Sequence, residues 1–361
     1  MMNQLRPRTF GYRGRSRLDM EDEGETAEPM IAESSADAFF VTSAGQGEIR
    51  NVPLPPPGPE DAVIRCLYSG ISRGTETLVF RGRVPQSQYQ AMRAPFQEGD
   101  FSAPVKYGYA AVGLVESGPP GLRDRPVFCL HPHQTRFVVP AVSVVRLPDG
   151  VPPARAVLAA NMETAVNALW DAKPMIGDRV AVIGAGVVGC LVAYLARRMP
   201  GTTVQVIDTD DTKSSLVNAL GCDFKTPGEA TGDADLVLEA SGSPAGADLA
   251  LRLARFEGTV VVLSWFGDEP VPLPLGEDFH ARRLTIRSSQ VGSVSPARRL
   301  TGWNNSRRLE FALSLLTNPV LDGLISGESD FADLPRTMRW LAAAPAGVLC
   351  HRIRYSARSS D

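Results

Sequence analysis

The stretch Asp178-Arg179-Val180-Ala181-Val182-Ile183-Gly184-Ala185-Gly186-Val187-Val188-Gly189 decides the fold. A β-branched run that ends in Gly-x-Gly-x-x-Gly and continues as an apolar helix opens a dinucleotide-binding βαβ unit. Each glycine answers a separate steric demand. Gly184 permits the tight turn, Gly186 lets the backbone approach a pyrophosphate, and Gly189 lets the helix pack closely on the strand. The helix, expected over 187–197, points its N-terminus at the phosphates, with Ala185, Val187 and Val188 completing the cradle. Thr203 to Ile207 reads as the next strand, and Asp208 follows it, nineteen residues past Gly189. A carboxylate there hydrogen-bonds the adenosine ribose and repels a 2′-phosphate, so NAD(H) is the expected cofactor. Asp210 and Asp211 add to that bias. Lys213 has two readings, a contact on the adenosine side or a solvated surface group.

Working outward, strands at 236–240 and 259–263, separated by a helix at 244–255, continue the alternation of a doubly wound parallel sheet. Ser241 and Gly242 follow the first of these and Ser264 and Trp265 the second, where a cofactor would lie along the carboxyl edge. Trp265 reads equally as plain core or interface. Upstream, short apolar runs at 39–41, 62–68, 110–115, 126–130, 135–139 and 142–147, broken by Gly and Pro, describe a β-barrel-like domain. Residues 85–101 form a polar insertion, read as a lid or helix. Downstream, 306–355 reads as a helix, a shorter helix at 334–343 and a closing strand at 347–355. The expected division is a disordered tail at 1–36, a barrel domain at 37–155, the Rossmann domain at 156–292 and a return to the barrel at 293–361. Within 1–36, five arginines precede an acidic block at 19–28, and Met20 or Met30 would serve as a later start.

Composition narrows the function classes. The 361 residues exceed one ordinary core, and 43% hydrophobic with 21% charged residues is a globular composition. Lys plus Arg, 37, nearly balance Asp plus Glu, 40, for a net charge of −3, which argues against nucleic acid or an anionic membrane as partner. No apolar run reaches the roughly 20 residues that span a bilayer. The five cysteines are scattered with no CxxC or Cys/His cluster, so reduced thiols and a cytoplasmic location are expected.

The order of parts, with Gly70-Ile71-Ser72-Arg73-Gly74-Thr75-Glu76, Gly108-Tyr109-Ala110 and the Asp208–Lys213 stretch, resembles the medium-chain dehydrogenase/reductase superfamily. The resemblance covers nearly everything after Ala38 and implies a GroES-like β-barrel with a Rossmann domain. Zinc alcohol dehydrogenases of that superfamily carry Cys-Arg-Ser-Asp where Ser72 begins its motif and Gly-His-Glu where Tyr109 stands. Their third ligand falls near Ala159 or Ala160. Ser, Tyr and Ala are not a zinc set, since zinc takes thiolate, imidazole or carboxylate, so no zinc is expected. The combination of Ser69 to Glu76, Phe128 to His133 and Asn161-Met162-Glu163-Thr164-Ala165 is similar to the zinc-lacking branch of 2-desacetyl-2-hydroxyethyl bacteriochlorophyllide dehydrogenase-like proteins.

Without a metal, hydrogen bonds must stabilise the charge on the reacting oxygen and a side chain must handle the proton. Ser72 and Tyr109 occupy the lost ligand positions, with Thr75 a further hydroxyl on the same loop. Ser72 is an oxyanion donor; Tyr109 is an acid or a buried phenol bonded to backbone. His131 and His133 are two of only four histidines, and His133 is the proton-relay candidate, with a water-exposed strand-end imidazole as the alternative. Glu163 reads as a residue that orients ligand or nicotinamide ribose, or as a helix cap. Arg73 matches the family position that reaches the pyrophosphate; a surface ion pair is the alternative. The expected activity is a zinc-independent, NAD(H)-dependent oxidoreductase interconverting a secondary alcohol and a ketone. The rival readings are a quinone or enoyl reductase, and a catalytically silent NAD-binding protein. A small-molecule substrate is expected, and, by analogy with such families, a homodimer.

Overall fold

The computed structural model describes residues 35–356. A six-stranded, wholly parallel sheet runs Asp223–Lys225, Thr203–Ile207, Arg179–Ile183, Ala234–Glu239, Ala254–Val262, Thr285–Ser288. The chain builds outward from Arg179–Ile183 in one direction, then returns to its other side at Ala234. The strand order therefore reverses between Ile183 and Glu239, the crevice where doubly wound sheets bind ligands. Burial follows the pleat. Val180 and Val182 enter one core with Leu191 and Val192 of the helix Val187–Ala196, while Ala181 and Ile183 enter another with Ala250 and Leu251 of the helix Pro244–Leu253. Both faces are thus covered, which is why these strands read as unbroken apolar runs. Burying each Val or Leu contributes about 1.5–3 kcal/mol. Exposed ion pairs such as Arg179–Asp233 at 2.6 Å are screened by solvent and contribute little, so packing decides this fold.

The β-rich part has two sheets. One runs Ile325–Asp330, Cys350–Arg354, Asp61–Ile71, Ala111–Ser117, Pro126–Cys129, Val144–Arg146, with Arg136–Pro140 also paired to the long strand Asp61–Ile71. The other runs Gln46–Pro53, Ser35–Ser43, Val105–Lys106, Glu98–Gly99. The fold class is the expected one, an α/β chain with a GroES-like β-rich part and a Rossmann sheet.

Several local expectations need correction. The strand Ser35–Ser43 begins before residue 37, so Ser35 and Ala36 are not part of a tail; the rest of the tail reading lies outside the described residues. The 85–101 insertion holds only a 3-10 turn at Gln86–Gln88 and the short strand Glu98–Gly99, not a helical lid. The helix expected through Arg255 ends at Leu253, because Ala254 already pairs with Ala234 in the sheet. The helical stretch after Pro152 is two helices, Pro153–Ala156 and Ala159–Ala172.

The glycine loop shows why its residues are fixed. Gly184 has φ +100°, and a Cβ on it would lie 2.7 Å from the Ala240 carbonyl. A Cβ on Gly189 would sit 1.9 Å from the Gly184 carbonyl oxygen, so helix and strand approach only because that position is bare. Gly189→Ala must push them apart, and overpacking of this kind costs about 1–3 kcal/mol. Chemical denaturation is expected to show that loss, while Gly186→Ala, whose Cβ meets nothing within 4 Å, keeps wild-type stability.

Candidate active site

Ser72 immediately precedes the helix Arg73–Phe80, which carries Thr75 and Glu76 on its first turn. Tyr109 lies between the strands Val105–Lys106 and Ala111–Ser117 and packs against both the barrel core and the Rossmann-side core. The structure brings the three hydroxyls together: those of Ser72 and Thr75 are near enough to Tyr109 to favour its phenolate form. Asn161, on the helix Ala159–Ala172, donates to Ser72 Oγ at 3.3 Å, which leaves the Ser72 proton free for Tyr109. Ser72, Thr75 and Tyr109 each keep partial exposure. Burial of its hydroxyl and the negative charge of Glu76 push the Tyr109 phenol up to about 12, against the opposing hydrogen bonds from Ser72 and Thr75.

Behind this cluster lies a chain of buried polar groups. Glu76, 3% exposed, accepts from the Ser72 backbone N–H at 2.8 Å through Oε1. Its Oε2 lies 2.8 Å from His133 Nε2, and His133 is 1% exposed. His133 Nδ1 lies 2.7 Å from Ser69 Oγ, which lies 2.9 Å from the Tyr355 hydroxyl. His133 is therefore not the water-exposed imidazole of the alternative reading. Gly108, at φ +136°, leaves room for it: a Cβ there would sit 3.0 Å from the imidazole Cδ2. Glu76, Asn161, Ser69 and Tyr355 were not among the residues expected at the site. Glu76 had a local signal, a carboxylate one helical turn after Ser72. Tyr355 had none, being 286 positions from Ser69.

Glu163 is not brought into this cluster. It stands two residues after Asn161, hence about 200° round the helix, and accepts from Arg308 Nε at 3.0 Å. Burial raises its carboxyl, opposed by the Arg308 charge. Arg308, 2% exposed, also donates to Asn167 Oδ1 at 2.7 Å and to the Val291 and Ser293 carbonyls. Glu163 is interior to its helix, so it is no cap.

At the glycine loop, Asp208 Oδ2 accepts from Ala185 N–H at 2.7 Å and from Lys213 Nζ at 3.0 Å. Lys213 is only 8% exposed, which rules out the surface reading. Gly186 caps the helix Val187–Ala196, and a Cβ on it would meet no protein atom within 4 Å. Its bare backbone therefore faces open space at a helix N-terminus, the shape that admits a pyrophosphate. A carboxylate on the neighbouring strand end fits a ribose hydroxyl, so these residues fit a dinucleotide. Gly242 N–H donates to Ser264 Oγ at 2.9 Å, joining the ends of two adjacent strands. Ser241 N–H and Oγ both donate to Glu239 Oε1. Trp265 packs against the barrel core. Arg73 makes no ion pair among the described residues; its Nη1 donates to the Pro345 and Val348 carbonyls at 3.2 and 2.7 Å. Burial lowers its guanidinium pKa, opposed by the charges of Asp208 and Asp210. Gly347 N–H in turn donates to Asp210 Oδ2 at 2.6 Å.

Ser72, Tyr109 and the two alanines offer no zinc donor set, and no group of three or more His, Cys, Asp or Glu that could hold a metal occurs among the described residues. No helix among them is long and apolar enough to cross a membrane.

A switch-point crevice with a glycine-rich turn beside a hydroxyl cluster defines an oxidoreductase of the dehydrogenase type. Residues 187–303 match the family model described as Zinc-binding dehydrogenase. The chain is 30% identical over 245 residues to 2-desacetyl-2-hydroxyethyl bacteriochlorophyllide A dehydrogenase of Cereibacter sphaeroides, covering 62% of this chain and 71% of that one. A zinc-binding dehydrogenase of Sinorhizobium meliloti bound to NADP superposes with TM-score 0.70 at 21% identity, covering 89% of this chain and 100% of that one. An alcohol dehydrogenase of Escherichia coli complexed with NADH gives 0.69 at 15% identity, covering 89% and 99%. The chain belongs to the medium-chain dehydrogenase/reductase superfamily.

Glu76 organises the site, so its loss is testable without substrate. Glu76→Ala strands the Ser72 N–H and the His133 imidazole in the interior, and each buried orphan costs about 1–3 kcal/mol. Denaturant unfolding is expected to show a loss of roughly 3 kcal/mol, whereas Glu48→Ala, at an exposed ion pair, changes little.

Proposed function

We propose that the protein is a zinc-independent, NAD(H)-dependent oxidoreductase that interconverts a secondary alcohol and a ketone. One observation carries the reading: where zinc-dependent relatives place metal ligands, this chain gathers the Ser72, Thr75 and Tyr109 hydroxyls beside a buried carboxylate. Bound NAD(H) would supply the hydride acceptor or donor. Gly184, Ala185, Gly186, Val187, Val188 and Gly189 would hold its pyrophosphate, Asp208 with Lys213 its adenosine ribose, and Ser241, Gly242, Ser264 and Trp265 its further length.

The chain's own groups then handle oxygen and proton. A carbonyl oxygen that gains a hydride becomes an alkoxide, which hydroxyl donors stabilise. Tyr109 holds a proton for that oxygen, because its raised pKa keeps the phenol neutral throughout the physiological range. Ser72 and Thr75 donate to the phenolate left behind. The same raised pKa favours the reductive direction, in which Tyr109 gives up its proton. His133, bonded to Glu76 and to Ser69, holds that carboxylate in place behind the cluster. Arg73, near Asp208 and Asp210 and held by the 345–348 segment, would reach the cofactor pyrophosphate. The five free, buried cysteines support a cytoplasmic location.

Titration with NADH and NADPH tests the cofactor half. NADH is expected to bind at least tenfold more tightly, with Asp208→Ala narrowing the difference and Gly186→Ala weakening both; tighter NADPH binding overturns the reading of Asp208. A panel of ketones and enones tests the chemistry. Ketone reduction supports the reading, saturation of a C=C replaces it with an enoyl or quinone reductase, and cofactor binding without turnover removes catalysis altogether.

Tyr109→Phe is expected to lower kcat by about 100-fold with little change in cofactor affinity, the lower end of general-acid contributions. Because the phenol's pKa is raised, Tyr109 stays protonated below about pH 12. The reductive kcat profile is therefore expected to show no Tyr109 deprotonation limb up to pH 9.

A further inference from the structure

A pocket lined by His131, two residues before His133, lies outside the residues of the catalytic cluster. It is a cavity of about 240 Å³ between the end of the strand Gln46–Pro53, the segment 96–98 and the strand Arg136–Pro140. Its lining is mixed, with Pro53, Leu54, Phe96 and Phe137 supplying apolar wall. An engineered apolar cavity of about 150 Å³ holds benzene, so this one has room for a six-membered ring with substituents.

The polar end is unusual because its groups are buried. Lys106 is 2% exposed, His131 5% and Gln134 3%. His131 stacks on Phe137 with ring centroids 3.8 Å apart and planes 7° apart, and Phe96 lies 5.5 Å from it. Its Nδ1 is 2.9 Å from the Pro132 carbonyl, an acceptor, so Nδ1 carries the hydrogen. Burial first, and the nearby Lys106 charge second, push this imidazole down to about 3, so it is neutral at ordinary pH. Its Nε2 is then a bare acceptor, and no donor among the described residues reaches it.

Lys106 donates to the Glu98 carboxylate and, at 2.7 Å, to Gln134 Oε1. An ammonium has three N–H groups, so one remains. Gln134 Nε2 is committed to the Arg136 carbonyl at 2.7 Å. Glu98 is mostly exposed, so the buried groups at the pocket's polar end offer one free donor, on Lys106, and one free acceptor, on His131. A hydroxyl satisfies both, accepting from Lys106 and donating to His131. A carboxylate has no hydrogen for Nε2 and meets Glu98 as a like charge. An ammonium ligand meets Lys106.

We propose that this cavity is a binding site for a neutral ligand that carries a hydroxyl on an apolar ring, a monocyclic alcohol or phenol. The site lies apart from the glycine loop and needs no cofactor, so it goes beyond the redox reading and stands or falls separately from it.

Phenol, toluene and benzoate discriminate the recognition chemistry when titrated into the full-length protein by calorimetry, with the histidine ring C–H resonances followed by NMR. His131→Phe assigns the His131 signal and keeps a ring for the Phe137 stack while removing the acceptor. Phenol is expected to bind saturably, one per chain, and to shift the His131 resonance. Toluene and benzoate are expected to bind at least tenfold more weakly. His131→Phe and, separately, Lys106→Met are each expected to weaken phenol tenfold or more, with an unchanged thermal transition for at least one of them showing that the fold survives. The proposal is overturned if toluene binds as well as phenol, if phenol binds His131→Phe as tightly as wild type, or if phenol does not bind at all and the cavity holds only water.

Discussion

Glu76 is a carboxylate sealed inside the protein, and a buried charge persists only where hydrogen bonds surround it. Its two oxygens are met by the Ser72 backbone N–H and by His133 Nε2. Through His133 and Ser69 the same network reaches Tyr355, so three distant segments are locked together: the Ser69–Glu76 turn, the Pro132 turn and the end of the chain. None can shift without leaving a buried polar group unpaired. The constraint also has an electrical consequence, since the carboxylate's charge helps hold the Tyr109 phenol in its neutral form.

The last fifty residues tie the β-rich part to the Rossmann sheet by polar contacts rather than by a continuous core alone. Arg73 grips the Pro345 and Val348 carbonyls, and Gly347 reaches back to Asp210 beside the expected ribose site. On the other side of the cleft, Arg308 spends its guanidinium on Glu163, Asn167 and two carbonyls of the 291–293 loop. An arginine so fully engaged fixes the loop that follows the last parallel strand. Two residues expected near the ligand, Arg73 and Glu163, are thus first of all joints of the framework.

A family described by its zinc need not keep the metal's chemistry at every member's site. Here two of the ligand positions carry the hydroxyls of Ser72 and Tyr109, and behind them stands the Glu76–His133 pair. Hydrogen bonding to the reacting oxygen then takes the place of Lewis-acid polarisation in the proposed reaction. Such a site depends on the fixed orientation of its donors, which the buried Glu76 network supplies.

Much of the Rossmann half was legible in the sequence because its information is local. A strand buried on both faces, a turn that only glycine can make, and an acid at the next strand end all fall within thirty residues, from Arg179 to Asp208. Ser72, Thr75 and Tyr109 could be named from the motifs that hold them. The boundaries that failed, at Ser35 and at Ala254, failed where pairing with another strand, Ser35 with Pro53 and Ala254 with Ala234, extended the sheet past the local pattern. The roles of Glu163, Arg73 and Lys213 could not be read, because each was decided by a partner that pattern does not specify. The sequence by itself determined the parallel sheet, the glycine loop and the absence of zinc-type donors at the ligand positions, since sterics and side-chain chemistry act over a few residues. Only the tertiary structure decided that Glu76 is the buried acid and that Tyr355 stands behind His133, because burial and hydrogen bonding are settled by which remote segments meet.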